Sequence, residues 1–153
     1  MYVSSKHIIQ DMGVFVNMEI KEWLNRGYEL KKKIDKKRRR IEALEERTVN
    51  MSPHIDTVGG YNSKTRPVKV NLSDKKVDEE NLLFAMEEEY KDVMSEIQGV
   101  IDSVDDDAYK TVLELRHVMF LSWPVIAYKM SYSERQIHRK YSESLKDVST
   151  WQC

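Results

Sequence analysis

Two long segments of opposite charge share one apolar rhythm, which limits the folds open to this chain. Basic residues dominate Lys21–Arg47, with a dense run over Lys31–Arg40, whereas Asp78–Asp107 holds twelve carboxylates against Lys91 alone. Apolar residues recur in steps of three and four in both segments: Ile20, Trp23, Leu30, Ile34, Ile41 and Leu44 in the first, and Leu83, Met86, Tyr90, Val93, Ile97, Val100 and Val104 in the second. That spacing predicts two helices, each with the single apolar stripe that a coiled-coil pair buries.

The two stripes predict a long antiparallel hairpin in which Ile20 lies beside Val104. In that register Ile34 falls beside Tyr90, and the basic run faces the acidic stretch Glu87–Asp92. Two interpretations of the basic run stay open. It either pairs with those carboxylates or contacts phosphate. The second interpretation is open because eight cations within about 15 Å of helix carry more positive charge than is needed to neutralise one acidic neighbour.

The connection between these helices, about residues 49–77, is predicted to be a loop. It contains Pro53 and Gly59–Gly60, which are loop signals. Apolar and polar residues alternate over 68–72, so a short strand is an alternative there. The first 16 residues have apolar side chains at helical spacing and predict a short packing helix.

Three shorter helices are predicted after the hairpin, each with its own cap. Asp105–Asp107 supply carboxylates to a first helix that runs to about Leu121. Three consecutive side chains diverge around a helix and no calcium-type glycine turn follows, so a metal site is not expected. Ser122 caps a second helix. Ser133 caps a third, where Gln136, three residues on, completes a capping box.

The third of these helices separates an apolar side from a polar side. The apolar side consists of Ile137, Tyr141, Leu145 and Val148, and the polar side of Arg135, Gln136, Arg139, Ser142 and Glu143, with Lys140 on the flank. Two short helices joined by a tight turn, with arginine and glutamine facing outward, describe a helix-turn-helix. Arginine can donate two hydrogen bonds to guanine O6 and N7, and glutamine can bond adenine N6 and N7. The alternative is an ordinary solvated helix face.

A longer residue pattern runs through this part of the chain, over roughly 105–148. It consists of Leu113–Arg116, Ser122–Ala127, Tyr132–Arg139 and Ser144–Leu145. The pattern resembles region 4 of bacterial sigma factors, and most closely the small phage-encoded late-operon activators of the RinA and ArpU type. The resemblance implies that a Trp–Ile-Ala helix supports a Ser-capped recognition helix in the major groove. Sigma-type turns often have glycine where this chain has Ser131.

Other functions find little support in the sequence. No apolar run approaches the roughly 20 residues that span a bilayer, and no signal peptide is evident, so we expect a cytoplasmic protein without a membrane partner. The four histidines have no zinc-binding spacing, and Cys153, the single cysteine, has no disulfide partner. The formal net charge of −1 argues against an indiscriminate nucleic-acid coat. We therefore expect no enzymatic activity, no metal and no cofactor.

The sequence thus predicts an all-α protein with a helical region, residues 1–104, and a helix-turn-helix domain, residues 105–153. Its expected role is a phage or prophage transcriptional regulator, most simply a late-gene activator acting with host RNA polymerase. It would bind double-stranded DNA as a monomer or homodimer. The expected DNA-binding residues are Ser133, Arg135, Gln136, Arg139, Lys140 and Ser142, with Lys129 and Tyr132 as further phosphate contacts. The alternative is an adaptor or inhibitor that engages polymerase or another host protein without reading DNA, with Glu87–Asp92 facing outward.

Overall fold

The computed structural model describes residues 20–50 and 68–149, and most residues in these ranges are helical. The five helices are α1 (Ile20–Asn50), α2 (Val68–Asp102), α3 (Asp107–His117), α4 (Trp123–Met130) and α5 (Glu134–Ser149). The two described ranges contain no strand, which agrees with the all-α prediction. None of these helices is long and apolar enough to cross a membrane. The helix predicted in the first 16 residues and most of the predicted loop lie outside the described residues.

Two predicted boundaries are wrong. The loop was expected to extend to residue 77, but α2 begins at Val68, so 68–77 is neither loop nor strand. Lys76 explains part of this, because it pairs with Glu45 of α1 and with Glu80 one turn further along α2. The first of the three shorter helices was expected to run to about Leu121, but α3 ends at His117. Phe120 has a φ of 56°, which a right-handed helix does not accommodate.

The described residues fall into two compact units that cut across both long helices. Unit 1 comprises 20–30 with 90–149, and unit 2 comprises 31–50 with 68–89. This division differs from the expected boundary after residue 104, because the start of α1 and the end of α2 share one core with the three short helices. That core consists of Trp23, Leu24, Ile97, Ile101, Val104, Val112, Leu113, Ile126, Ala127, Ile137, Tyr141 and Val148.

Within unit 1, α1 and α2 approach closely at Gly27, a gap in the predicted apolar stripe. A Cβ atom at this position would lie 2.5 Å from the Sδ atom of Met94, so the methionine fills the space a side chain would take. Next to it, Arg26 Nη2 donates a hydrogen bond of 2.8 Å to Glu96 Oε2. Leu24 is fully buried although it stands outside the predicted stripe.

Within unit 2, Lys37 interrupts the predicted apolar stripe of α1 and forms an ion pair with Glu79 of α2. Lys37 Nζ lies 2.5 Å from Glu79 Oε2, and the two side chains are only 19% and 14% exposed. The hydrogen bond from Lys37 is the main reason that the pKa of Glu79 lies below its ordinary value. Ile34 and Ile41 are buried on the same side of α1, as the stripe predicts.

Candidate nucleic-acid interface

Helices α4 and α5 are joined by residues 131–133, and one left-handed residue sets the geometry of this connection. Ser131 has φ 58° and ψ 37°, a conformation that glycine adopts at lower cost than any other residue. The Tyr132 N–H donates to the Ala127 carbonyl at 3.0 Å, which closes the last turn of α4. Position 131 therefore has the backbone geometry of a glycine turn although it carries a serine.

The start of α5 is fixed by a reciprocal pair of hydrogen bonds between Ser133 and Gln136. The Gln136 N–H donates to Ser133 Oγ at 3.3 Å, and the Ser133 N–H donates to Gln136 Oε1 at 2.9 Å. This is the capping box that the sequence predicts. Ser122 occupies the corresponding position before α4, but its side chain makes no capping hydrogen bond. Before α3, Asp106 accepts a hydrogen bond of 2.9 Å from the Tyr109 N–H, as the acidic cap predicts.

The capping box limits what Gln136 can do at a base edge. Its Oε1 atom accepts from both the Ser133 N–H and the Ser133 hydroxyl, which occupies both lone pairs. Reading adenine through two hydrogen bonds requires that oxygen as well as the amide nitrogen. In this arrangement Gln136 is a capping residue, and a base-reading role would require the cap to open.

Helix α5 buries one side and exposes the other. Ile137 is fully buried, Tyr141 is 6% exposed and Val148 is 3% exposed, while Leu145 is half-buried. On the opposite side the predicted DNA-binding residues Arg135, Arg139 and Ser142 are all exposed and lie within about 60° of one another around the helix. Neither guanidinium makes a hydrogen bond or ion pair with a described residue. Both side chains are therefore available to an external partner.

The other predicted contacts are placed around this exposed side. Lys140 Nζ lies 4.9 Å from the centre of the Tyr132 ring, a cation–π contact that holds the ammonium group beside the α4–α5 turn. Lys129, near the end of α4, is exposed and has no partner among the described residues. Glu143, expected on the polar side, instead accepts a hydrogen bond of 2.8 Å from the Tyr109 hydroxyl of α3.

One candidate contact was missed by sequence reasoning, which considered His138 only as a zinc ligand. His138 is exposed and stands three residues from Arg135, on the flank of α5 between the exposed side and α4. Its ring contacts Trp123 of α4, with centroids 4.5 Å apart. The helical spacing from Arg135 was the available signal.

A stack of rings and one guanidinium fixes α5 against the helices that precede it. The Arg116 guanidinium of α3 lies 4.5 Å above the Trp123 ring and donates a 2.8 Å hydrogen bond to the Leu121 carbonyl. Trp123 in turn contacts the Tyr141 ring edge-on at 4.9 Å. The orientation of the exposed arginines is therefore determined by contacts from both α3 and α4.

Beneath this stack lies the buried histidine His117. Its Nε2 atom is 3.0 Å from the Tyr141 hydroxyl oxygen. The His117 ring also makes a hydrogen bond with the backbone of Leu24. Burial, followed by the positive charge of Arg116, lowers the pKa of His117 from 6.5 to about 4. Burial likewise raises the pKa of Tyr141. His117 is therefore neutral at physiological pH and serves packing.

The described residues offer no alternative centre of metal chemistry, since no three His, Cys, Asp or Glu side chains cluster in them. Cys153, the single cysteine of the sequence, lies outside the described residues. Comparison of the chain with known protein families, curated proteins and solved structures finds no match. The geometry of α4 and α5 is therefore the basis for assigning a function.

Proposed function

We propose that this chain is a sequence-specific, double-stranded-DNA-binding transcriptional regulator. One observation carries the proposal. Helix α5 is packed by Ile137 and Tyr141 on one side, while Arg135 and Arg139 face outward with no partner among the described residues. A capped helix with outward guanidinium groups fits the major groove, where arginine can bind guanine through two hydrogen bonds.

Helices α4 and α5 would form the two parts of a helix-turn-helix of the sigma region 4 type. The left-handed Ser131 and the Ser133–Gln136 capping box support this interpretation, because they give a short turn and a defined start to the second helix. On this basis we infer kinship with the phage late-operon activators that the sequence resembles. Helix α5 would read bases, and Lys129, Lys140 and Tyr132 would contact phosphates beside it.

Helices α1 and α2 would form an antiparallel hairpin that supplies dimerisation or contact with host RNA polymerase. In unit 2, Arg38 bonds Glu87 at 2.6 Å, whereas Glu45, further along α1, pairs with Lys76, which is earlier in α2. Residues later in α1 therefore pair with residues earlier in α2, which is the arrangement of two antiparallel helices. Exposed ion pairs contribute only about 0–1 kcal/mol each, so their main effect is on register.

Two double variants test the proposal in the full chain. R135A/R139A removes both guanidinium groups, whereas R135K/R139K keeps the charge but loses the planar, two-bond geometry.

Selection of binding sites from a random DNA pool should give a consensus for the native chain. We expect each lost base contact to cost about 1–3 kcal/mol. The lysine variant should keep affinity for unrelated DNA and lose the consensus, whereas the alanine variant should lose the consensus and bind unrelated DNA more weakly. An unchanged consensus in both variants would contradict the proposed reading face.

The second candidate is an adaptor or inhibitor that binds a host protein and not DNA. Exposed apolar groups in unit 1 favour it, since Tyr128 is 87% exposed and Met119 is 56% exposed. The acidic stretch supports it only in part, because Glu87 pairs with Arg38 whereas Glu89 and Asp92 are exposed. A salt titration distinguishes the candidates. DNA binding weakens steeply with added salt, whereas an adaptor should lack DNA affinity at low salt and co-purify with polymerase.

A further inference from the structure

The basic run on α1 contains two kinds of cation in unit 2: some contact carboxylates of α2, and others make no ion pair with a described residue. Lys37 and Arg40 both contact Glu79 of α2, with Arg40 Nε 3.3 Å from Oε1. Arg38 Nη2 lies 2.6 Å from Glu87 Oε1. Internal charge pairing, one of the two interpretations left open by the sequence, therefore accounts for these three cations.

Lys33, Lys36 and Arg39 form an outward row on α1, three residues apart in succession and spanning about 120° of the helix. All three are exposed, and none makes an ion pair with a described carboxylate. Asp35, the acid nearest in sequence, is engaged by Lys31 at 3.8 Å and by Arg38 at 3.9 Å. The contact that Arg39 does make is a hydrogen bond to the Asp35 backbone carbonyl, which leaves its charge uncompensated. Glu42 is the next residue at this spacing and ends the cationic row.

We propose that Lys33, Lys36 and Arg39 form a sequence-independent binding face for the phosphate backbone of double-stranded DNA. The row covers six residue steps, about 9 Å of helix, which matches roughly three phosphates of one strand. Lysine is a flexible point charge that suits phosphate but not a base pattern, so this face adds affinity without sequence preference. The inference rests on the proposed function for the identity of the polyanion.

The test compares two triple variants of the full chain that remove equal charge from the same helix. K33Q/K36Q/R39Q removes the outward row, and K31Q/R38Q/R40Q removes cations that are already paired. Fluorescence anisotropy with a labelled duplex of unrelated sequence, over a series of salt concentrations, gives the dependence of log K on log salt. Each phosphate contact contributes about 0.9 to that slope. The outward variant should therefore lower the slope by about 2.7, and the paired variant by less than about 1. Equal effects of the two variants, or no effect of the outward one, would overturn the proposal.

Repeating both triple variants in an R135A/R139A background separates this face from the reading helix. If the face exists, residual binding to unrelated DNA persists in that background and disappears with the outward variant. If only the function proposed for α5 fails, the consensus is unaffected by R135A/R139A while the outward variant still lowers the slope. Binding to poly-glutamate in place of duplex DNA, with the same residue dependence, would identify an acidic protein as the partner and refute the DNA assignment. Circular dichroism melts of every variant confirm that the helices remain folded.

Discussion

At the residue scale, Ser131 is held in a conformation that costs free energy. Placing an ordinary L-residue in the left-handed region costs about 1–2 kcal/mol, and glycine avoids most of this at an entropic cost of about 0.5–1 kcal/mol. We therefore expect Ser131→Gly to stabilise the protein by roughly 0.5–1 kcal/mol in urea unfolding. Ser122→Gly is the matched control, because Ser122 has φ −73° and makes no capping bond. That variant should be mildly destabilised, and a gain in both would contradict the interpretation of Ser131 strain.

His117 should make stability depend on pH in a definite direction. The folded pKa of about 4 lies below the ordinary 6.5, so the folded state binds fewer protons than the unfolded state between these values. The stabilisation is present above pH 6.5 and is lost as the pH falls toward 4. We expect a loss of about 2 kcal/mol between pH 7 and pH 5, at 1.36 kcal/mol per pKa unit.

The control for this prediction is His117→Gln, which keeps a polar side chain but cannot titrate. Its free energy of unfolding should be lower at pH 7 and nearly flat between pH 7 and pH 5. The lowered pKa of Glu79 acts in the same direction at lower pH, and it is present in both proteins. Parallel pH profiles for the native chain and the variant would show that His117 is not the titrating group.

At the scale of the element, the periodic burial of side chains and the helix caps could be predicted from the sequence, whereas contacts between helices distant in sequence could not. The spacing that buries Ile137 and Tyr141, and the capping box at Ser133, depend on residues three or four apart. By contrast, Leu24 is buried by helices distant in sequence. The positive φ of Phe120, which ends the α3 segment early, has no local signal such as glycine. The short alternation at 68–72 was misleading because helix and strand patterns are not separable over so few residues.

Gln136 gives an element-scale prediction that separates capping from base reading. Glutamate also completes a capping box and suits the positive end of a helix, but it cannot donate to adenine. Gln136→Glu should therefore retain native stability, and Gln136→Ala should lose about 1 kcal/mol in urea unfolding. If Gln136 only caps α5, the DNA consensus selected by Gln136→Glu should match that of the native chain. A consensus altered at one base pair, with stability unchanged, would return Gln136 to the reading face.

At the scale of the whole molecule, the two units differ in how much apolar surface they bury. The core of unit 1 contains twelve buried side chains, whereas the buried apolar residues of α1 in unit 2 are Ile34 and Ile41. Unit 2 relies instead on half-buried groups and on ion pairs such as that between Lys37 and Glu79. Exposed ion pairs contribute little, and the cost of desolvating a largely buried pair offsets much of its attraction, so unit 2 should open at a lower free energy than unit 1.

Native-state hydrogen exchange measures this difference directly. Amides of α1 and α2 within 31–50 and 72–89 should exchange through openings of lower free energy than amides near Val112 and Ile137. Ile41→Ala removes one of the few buried groups of unit 2, and a buried isoleucine lost in this way costs about 2–5 kcal/mol. It should accelerate exchange within unit 2 before it affects the centre of α3. Equal protection throughout both units, or equal acceleration in both, would show that the sparse core of unit 2 is not its weak point. A unit held by charge should also lose protection when salt is raised, whereas the apolar core of unit 1 should not.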